Sequence, residues 1–246
     1  MKLKVLGSSS SGNCYLLQAK EETLILECGI RYKEILQGLN YKIDNVNSCL
    51  ITHSHKDHSK AIKDIIKAGI DIYTSKGTID ACEVSGHRVH IIKSEQQFKL
   101  GEFTILPFAT EHDAAEPLGF LIYHPEMGTM LFATDTYYIQ YKFLRLSHIL
   151  IECNYDGEIM TSNIDNGTLN VGLALRLAKS HMSLDNCKTL LKATDLEDVR
   201  NIVLIHLSSL NSDSELFKTD IEKLTGKPTY VAESGLEIDL ESEFDG

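Results

Sequence analysis

The residues that concentrate the most chemistry are Thr52-His53-Ser54-His55-Lys56-Asp57-His58, which follow the apolar run Ser48-Cys49-Leu50-Ile51. Three imidazoles and a carboxylate fall between positions 53 and 58, at the end of a predicted strand. In an extended segment the side chains at i and i+2 face the same way, so His53 and His55 can converge on one ion. Asp57 and His58 come where the chain should turn into a helix, in position to reach a second. A solvated strand-to-helix turn has no need of ligands at this density; a metal site does.

Three more candidate ligands each follow a strand-like run. They are His112 in Thr110-Glu111-His112-Asp113, Asp135 in Ala133-Thr134-Asp135-Thr136, and His206 in Ile205-His206-Leu207-Ser208. Separate strands can bring such loop residues to one sheet edge. The whole set offers nitrogen and oxygen without cysteine sulfur, which suits Zn2+ or Mn2+.

The scaffold that must hold them is an ordinary globular one. The chain has 246 residues, 43% hydrophobic and 24% charged, enough for a large core. No apolar run is long enough to span a bilayer, and Met1-Lys2-Leu3-Lys4 does not open a signal peptide. Six scattered cysteines (14, 28, 49, 82, 153 and 187) without a CxxC pair read as reduced thiols of a cytoplasmic protein. The net charge is −11, and positions 233–246 hold six acidic residues and no basic one. Long polyanions are held mainly by phosphate neutralisation, so this balance favours a small phosphate ester over long DNA or RNA.

Strands are expected over 2–6, 14–17, 23–26, 48–51, 71–74, 89–92, 103–108, 119–123, 129–132, 149–152, 201–205, 229–231 and 236–240. Helices are expected over 31–39, 57–68, 78–84, near 141–146, and over 167–179, 185–193 and 214–224, the last capped by Ser212 or Asp213. Positions 7–13, Gly-Ser-Ser-Ser-Ser-Gly-Asn, form a tight turn beside the site; the loop lacks the lysine and following helix of a phosphate-binding loop. Lys60, Lys63 and Lys67 share one helix face, read as solvated. The two halves each mix strands with outer helices. This predicts an α/β fold, two sheets face to face with helices outside, in a single domain over 1–246.

The ordered set HxHxDH, lone His, Asp of an ATDT loop and terminal His resembles the metallo-β-lactamase superfamily along essentially the whole chain. The resemblance implies an αββα four-layer sandwich with a dinuclear site, usually zinc and sometimes manganese or iron. Under it, His53, His55 and His112 would hold one metal. Asp57, His58 and His206 would hold the other, with Asp135 bridging. The first motif departs from the family pattern, since Leu26-Glu27-Cys28-Gly29 stands where the superfamily has LIDCG. Glu27, one methylene longer than Asp, would adjust the surroundings of the site without abolishing it.

Finer similarities lie in residues 7–13, His112-Asp113, Pro117-Leu118-Gly119-Phe120, Glu152-Cys153-Asn154-Tyr155-Asp156 and Ser180-His181-Met182-Ser183. These resemble the YycJ/WalJ branch, which includes exonucleases of bacterial DNA repair, and the phage anti-Pycsar cyclic-nucleotide phosphodiesterases. The resemblance implies a phosphodiesterase with His181 as the acid that protonates the leaving oxygen, acting with Asp57 and Asp135. A metal-bound hydroxide would attack phosphorus, opening 3′,5′-cyclic mononucleotides to 5′-mononucleotides and so countering host immune signalling. The anti-Pycsar proteins are homodimers, so a cytoplasmic homodimer is implied, in a bacterial host if the chain is phage-encoded. Two alternatives stand beside this: a 5′→3′ DNA exonuclease, and an inactive nucleotide-sequestering protein, against which a complete ligand set argues.

Overall fold

The computed structural model describes residues 1–241; Glu243 and Asp245, the last two carboxylates of the acidic C-terminal run, lie outside them. The chain opens with β1 (Lys2–Gly7), β2 (Cys14–Gln18), β3 (Thr23–Leu26) and α1 (Tyr32–Gly38). There follow β4 (Val46–Leu50), α2 (Lys56–Ser59), α3 (Ile62–Lys67), β5 (Ile72–Thr74), α4 (Lys76–Cys82) and β6 (Val89–Ile91). Next come β7 (Phe98–Leu100), β8 (Phe103–Ala109), β9 (Leu118–His124), β10 (Gly128–Ala133) and β11 (His148–Glu152). The described part ends with α5 (Gly157–Asp165), α6 (Val171–Ser180), α7 (Leu184–Ala193), β12 (Asn201–Ile205), α8 (Ser214–Thr225), β13 (Thr229–Val231) and β14 (Glu237–Asp239).

These elements fall into two compact units. The first comprises Met1–Ala109, Ala114–Gly128 and the residues from Ala232 onward. It holds a mixed sheet in the order β14-β1-β2-β3-β4-β5-β6. The β14-β1-β2-β3 pairings are antiparallel and the β3-β4-β5-β6 pairings parallel. Both β2 and β3 are almost wholly buried, as expected of strands covered on two faces. Ile35, Ile62, Ile65 and Ile79 from the helices join Ile25, Cys49, Ile51 and Ile72 in one buried cluster. Full burial of each such side chain is worth roughly 1.5–3 kcal/mol. The same unit contains the antiparallel run β7-β8-β9.

The second unit comprises Thr110–Asp113 and Thr129–Val231. Its strands β10, β11, β12 and β13 pair in parallel. The residues of β11, His-Ile-Leu-Ile-Glu, are all buried, and only the first of β12 is not. Registers Ala133↔Ile151 and Glu152↔Ile205 bring the C-terminal ends of β10, β11 and β12 level. All six cysteines are free thiols, five of them buried and Cys82 half-buried. No helix among the described residues is long and apolar enough to cross a membrane.

The expected strands are present within a residue or two, and the α/β class with mixed sheets and flanking helices holds. Two expected helices fail for physical reasons, and two elements, β7 and α5, were not among those expected. The single helix expected over 57–68 is two, α2 and α3. The Asp57 carbonyl accepts the Asn13 backbone N–H at 2.7 Å, and the His58 carbonyl accepts that of Cys28 at 2.9 Å. Ala61, deprived of the Asp57 acceptor, donates instead to Cys28 O at 2.8 Å. The helix expected near 141–146 is absent. Ile139, Phe143 and Leu146 are buried at helical spacing, yet the segment is irregular and Arg145 sits at φ 55°. Helix α5 was not expected, because none of its residues is buried and its apolar pattern is weak; Asp156 caps it by accepting from Glu158 and Ile159 N–H.

The contact that breaks the 57–68 helix leaves no room at Gly29, where a Cβ would come within 1.6 Å of Asp57 O. Gly29→Ala should therefore cost on the order of 3 kcal/mol, a fall of roughly 6–12 °C in melting temperature by calorimetry. Gly157→Ala, where an added Cβ meets nothing within 4 Å, should leave it nearly unchanged.

Candidate metal centre

In the first unit, the parallel register Leu26↔Leu50 sets Glu27 beside the residues that leave β4. Glu27 N–H donates to Leu50 O at 2.9 Å, and its carboxylate Oε1 accepts from Thr52 N–H at 3.2 Å. His55 then caps α2 with extended backbone, so the chain turns sharply between His55 and Asp57. The turn gathers the predicted ligands. The ring of His53 lies 4.7 Å from that of His55 and 4.2 Å from that of His58. His58 Nε2 is 3.4 Å from Asp57 Oδ2 and 3.2 Å from Asn13 Nδ2.

The Nδ1 atoms of this group face protein partners. His53 Nδ1 is 2.9 Å from Thr52 Oγ1, and His58 Nδ1 is 3.6 Å from Glu27 Oε2. A carboxylate can only accept, so Glu27 favours a proton on His58 Nδ1, whereas the Thr52 hydroxyl can donate or accept and is compatible with either tautomer of His53. Glu27, at the position of the motif Asp, faces His58 and holds Thr52 N–H from a backbone at φ 64°. Burial raises its pKa above the ordinary carboxylate value, against the opposing effect of His58 and Thr52.

In the second unit, the level strand ends present Asp135 two residues after β10, Glu152 as the last residue of β11, and His206 directly after β12. Asp135 and His206 adopt φ 45° and 55°. Left-handed backbone at a non-glycine residue is strained, and such strain gathers at functional sites. His112 Nδ1 donates to the Ser180 carbonyl at 2.8 Å, which can only accept, so His112 Nε2 carries the lone pair. That Nε2 lies 3.5 Å from Asp135 Oδ2. Burial lowers the pKa of His112, keeping the imidazole neutral as a ligand requires.

Glu152 organises this half, and sequence reasoning missed it as a site residue. It is fully buried. Its Oε2 accepts Thr136 N–H at 2.9 Å and Met182 N–H at 3.1 Å. Its Oε1 meets His181 Nδ1 at 2.6 Å and His206 Nδ1 at 3.3 Å. Burial alone would raise its pKa, but the charge and hydrogen bonds of His181 and His206 outweigh that and hold it low. Conversely, burial opposes protonation of His181, and the Glu152 and Asp135 charges overcome this and raise its pKa above the ordinary histidine value. The available signal was position: Glu152 ends an apolar strand just before a polar loop, as the other candidates do.

Asp135, Glu152, His181 and His206 each offer a ligand atom within 4.8 Å of the others. Asn154 steadies the group by donating from Nδ2 to His206 O at 2.8 Å. The first unit thus brings together His53, His55, Asp57 and His58, and the second His112, Asp135, His181 and His206. Imidazole nitrogens and carboxylate oxygens, buried and pre-aimed, fit divalent metal ions.

Comparison with known proteins agrees with this donor chemistry. A model of the beta-lactamase superfamily domain matches residues 32–207. The exodeoxyribonuclease WalJ of Streptococcus pneumoniae is 28% identical over 232 residues, covering 87% of this chain and 84% of that protein. The exodeoxyribonuclease YycJ of Bacillus anthracis is 24% identical over 256 residues, covering 97% and 94%. Among solved structures, the metallo-beta-lactamase fold protein YhfI of Bacillus subtilis superposes with a TM-score of 0.73 at 16% identity, over 96% of this chain and 98% of that one. The chain belongs to the beta-lactamase superfamily and is a hydrolase of the metallo-β-lactamase fold.

Proposed function

We propose that this hydrolase cleaves phosphodiesters, and that its substrate is DNA degraded from the 5′ end. The observation that carries the phosphodiester reading is the His181–Glu152 pair, 2.6 Å apart beside Asp135 and His206. An alkoxide leaving group needs a proton, and an imidazolium held by a buried carboxylate can deliver it. The DNA reading is supported by the relatives named exodeoxyribonuclease. A second reading, hydrolysis of 3′,5′-cyclic mononucleotides to counter host signalling, is favoured by the net charge of −11, which suits a small ester better than a polyanion.

The proposed metal ligands are His53, His55, Asp57, His58, His112, Asp135 and His206. Divalent ions bound by them would acidify the attacking water and neutralise charge on the phosphoryl oxygens. The chain's own residues do the rest. His112 presents Nε2 in one tautomer, Glu152 orients His181 and favours its protonated form, and Asn154 holds the His206 loop.

Metal-loaded protein should release nucleotides from 5′-phosphorylated duplex DNA. Hydrolysis of cAMP, cGMP, cCMP or cUMP with intact DNA would sink the exonuclease reading in favour of the second; turnover of neither would sink both. Asp135→Ala should lose more than about 100-fold in rate, beyond the 10–100-fold typical of outer-shell partners, whereas a mere nucleotide sponge would go on binding.

His181→Ala should slow hydrolysis of a nucleotide ester by about 10²–10⁴-fold. It should barely slow an ester of p-nitrophenol, whose leaving group departs without a proton. Equal losses on both would exclude the acid role. Glu152→Gln removes the larger of the two charges that raise the His181 pKa, leaving only Asp135 to oppose burial. The basic limb of the pH–rate profile should therefore move to lower pH, and an unmoved limb would refute the pairing.

A further inference from the structure

The segment between Asp135 and β11 carries an aromatic run, Tyr137-Tyr138-Ile139-Gln140-Tyr141, with no regular secondary structure. Its first two rings are 38% and 54% exposed. Their backbone, by contrast, is held at three points. Tyr137 N–H donates to Glu111 O at 3.3 Å, Tyr137 O accepts from Asn186 Nδ2 at 3.0 Å, and Tyr138 O accepts from Thr136 Oγ1 at 2.7 Å. Adjacent exposed rings on a fixed backbone lose little freedom when a ligand covers them.

The two tyrosines line a cavity of about 160 Å³ together with Met182, Asn186 and Leu190. Sites for whole drug-sized ligands span about 300–1,000 Å³, so this one has room for a single ring system. It lies between this segment and α7, and Glu152 ties the near ends of both to the cluster. The same carboxylate oxygen accepts Thr136 N–H, one residue before Tyr137, and Met182 N–H, one residue after His181. One wall of the cavity is thus tied to the strand end bearing Asp135 and the other to the loop bearing His181.

We propose that Tyr137 and Tyr138 form a nucleobase subsite, on which one base of a nucleotide substrate stacks while its phosphate lies at the Asp135–His181 cluster. The inference rests on the phosphodiesterase reading and adds to it the residues that would hold the substrate's base. Stacking on an aromatic face tolerates any base, because every base offers a π-face, so the subsite selects for a base without choosing among them.

The test is binding, which does not depend on turnover. Metal-loaded wild type, Tyr137→Ala/Tyr138→Ala and Tyr137→Phe/Tyr138→Phe are titrated calorimetrically with AMP and with ribose 5-phosphate, which lacks the base. The wild type should prefer AMP by about tenfold or more. The double Phe variant should keep that preference, and the double Ala variant should bind AMP no better than ribose 5-phosphate while melting near the wild-type temperature. Equal wild-type affinity for the two ligands overturns the proposal, as does an undiminished AMP preference in the Ala variant. If wild type prefers AMP through these rings yet hydrolyses no phosphodiester, the subsite stands and the proposed activity falls.

Discussion

A fully buried carboxylate must find partners for both oxygens, and Glu152 finds four. Two are backbone amides, from the loops that follow Asp135 and precede α7; two are the imidazoles of His181 and His206. Through them it ties together the segments bearing Asp135, His181 and His206. Because its demand for donors is absolute in a dry environment, the loops have one arrangement that meets it. The parallel strand register makes that possible by ending β10, β11 and β12 at the same level.

Glu27 does comparable work in the first unit, on a smaller scale. It too closes a buried strand, holds the backbone of the next strand's exit through Thr52, and faces an imidazole, that of His58. Each unit therefore couples a buried carboxylate at a strand end to the histidines it orients. His53, His58 and His112 each turn Nδ1 toward a protein partner; His112 thereby keeps the Nε2 lone pair, while His58 Nε2 also meets Asn13 Nδ2 and Asp57 Oδ2. This shared polarity comes from three different partners: a hydroxyl, a carboxylate and a main-chain carbonyl.

How much of this was legible in the sequence depended on how local its cause was. The strands announced themselves by alternation or by unbroken apolar runs, and His53 to His58 by spacing alone. The break between α2 and α3 did not, because it is caused by Asn13 and Cys28, distant in sequence, taking the carbonyls of Asp57 and His58. Helix α5 escaped because it buries nothing, and the false helix near 141–146 because burial at Ile139, Phe143 and Leu146 mimics a helical period in an irregular chain. Glu152 was passed over since a lone acid at the end of a strand has no spacing to betray it. Its importance lies wholly in what the neighbouring strands deliver to it.

Glu27, Asp135 and His206 share a left-handed backbone that glycine would adopt without strain. At these three positions the residue type best suited to the local backbone has no side chain with which to bind or support anything. The chain consequently trades conformational ease for reactivity where its strands end. Glycine there would relieve the backbone but leave buried space and orphaned partners such as the Thr52 N–H, so the strain is held in place by the contacts these side chains make.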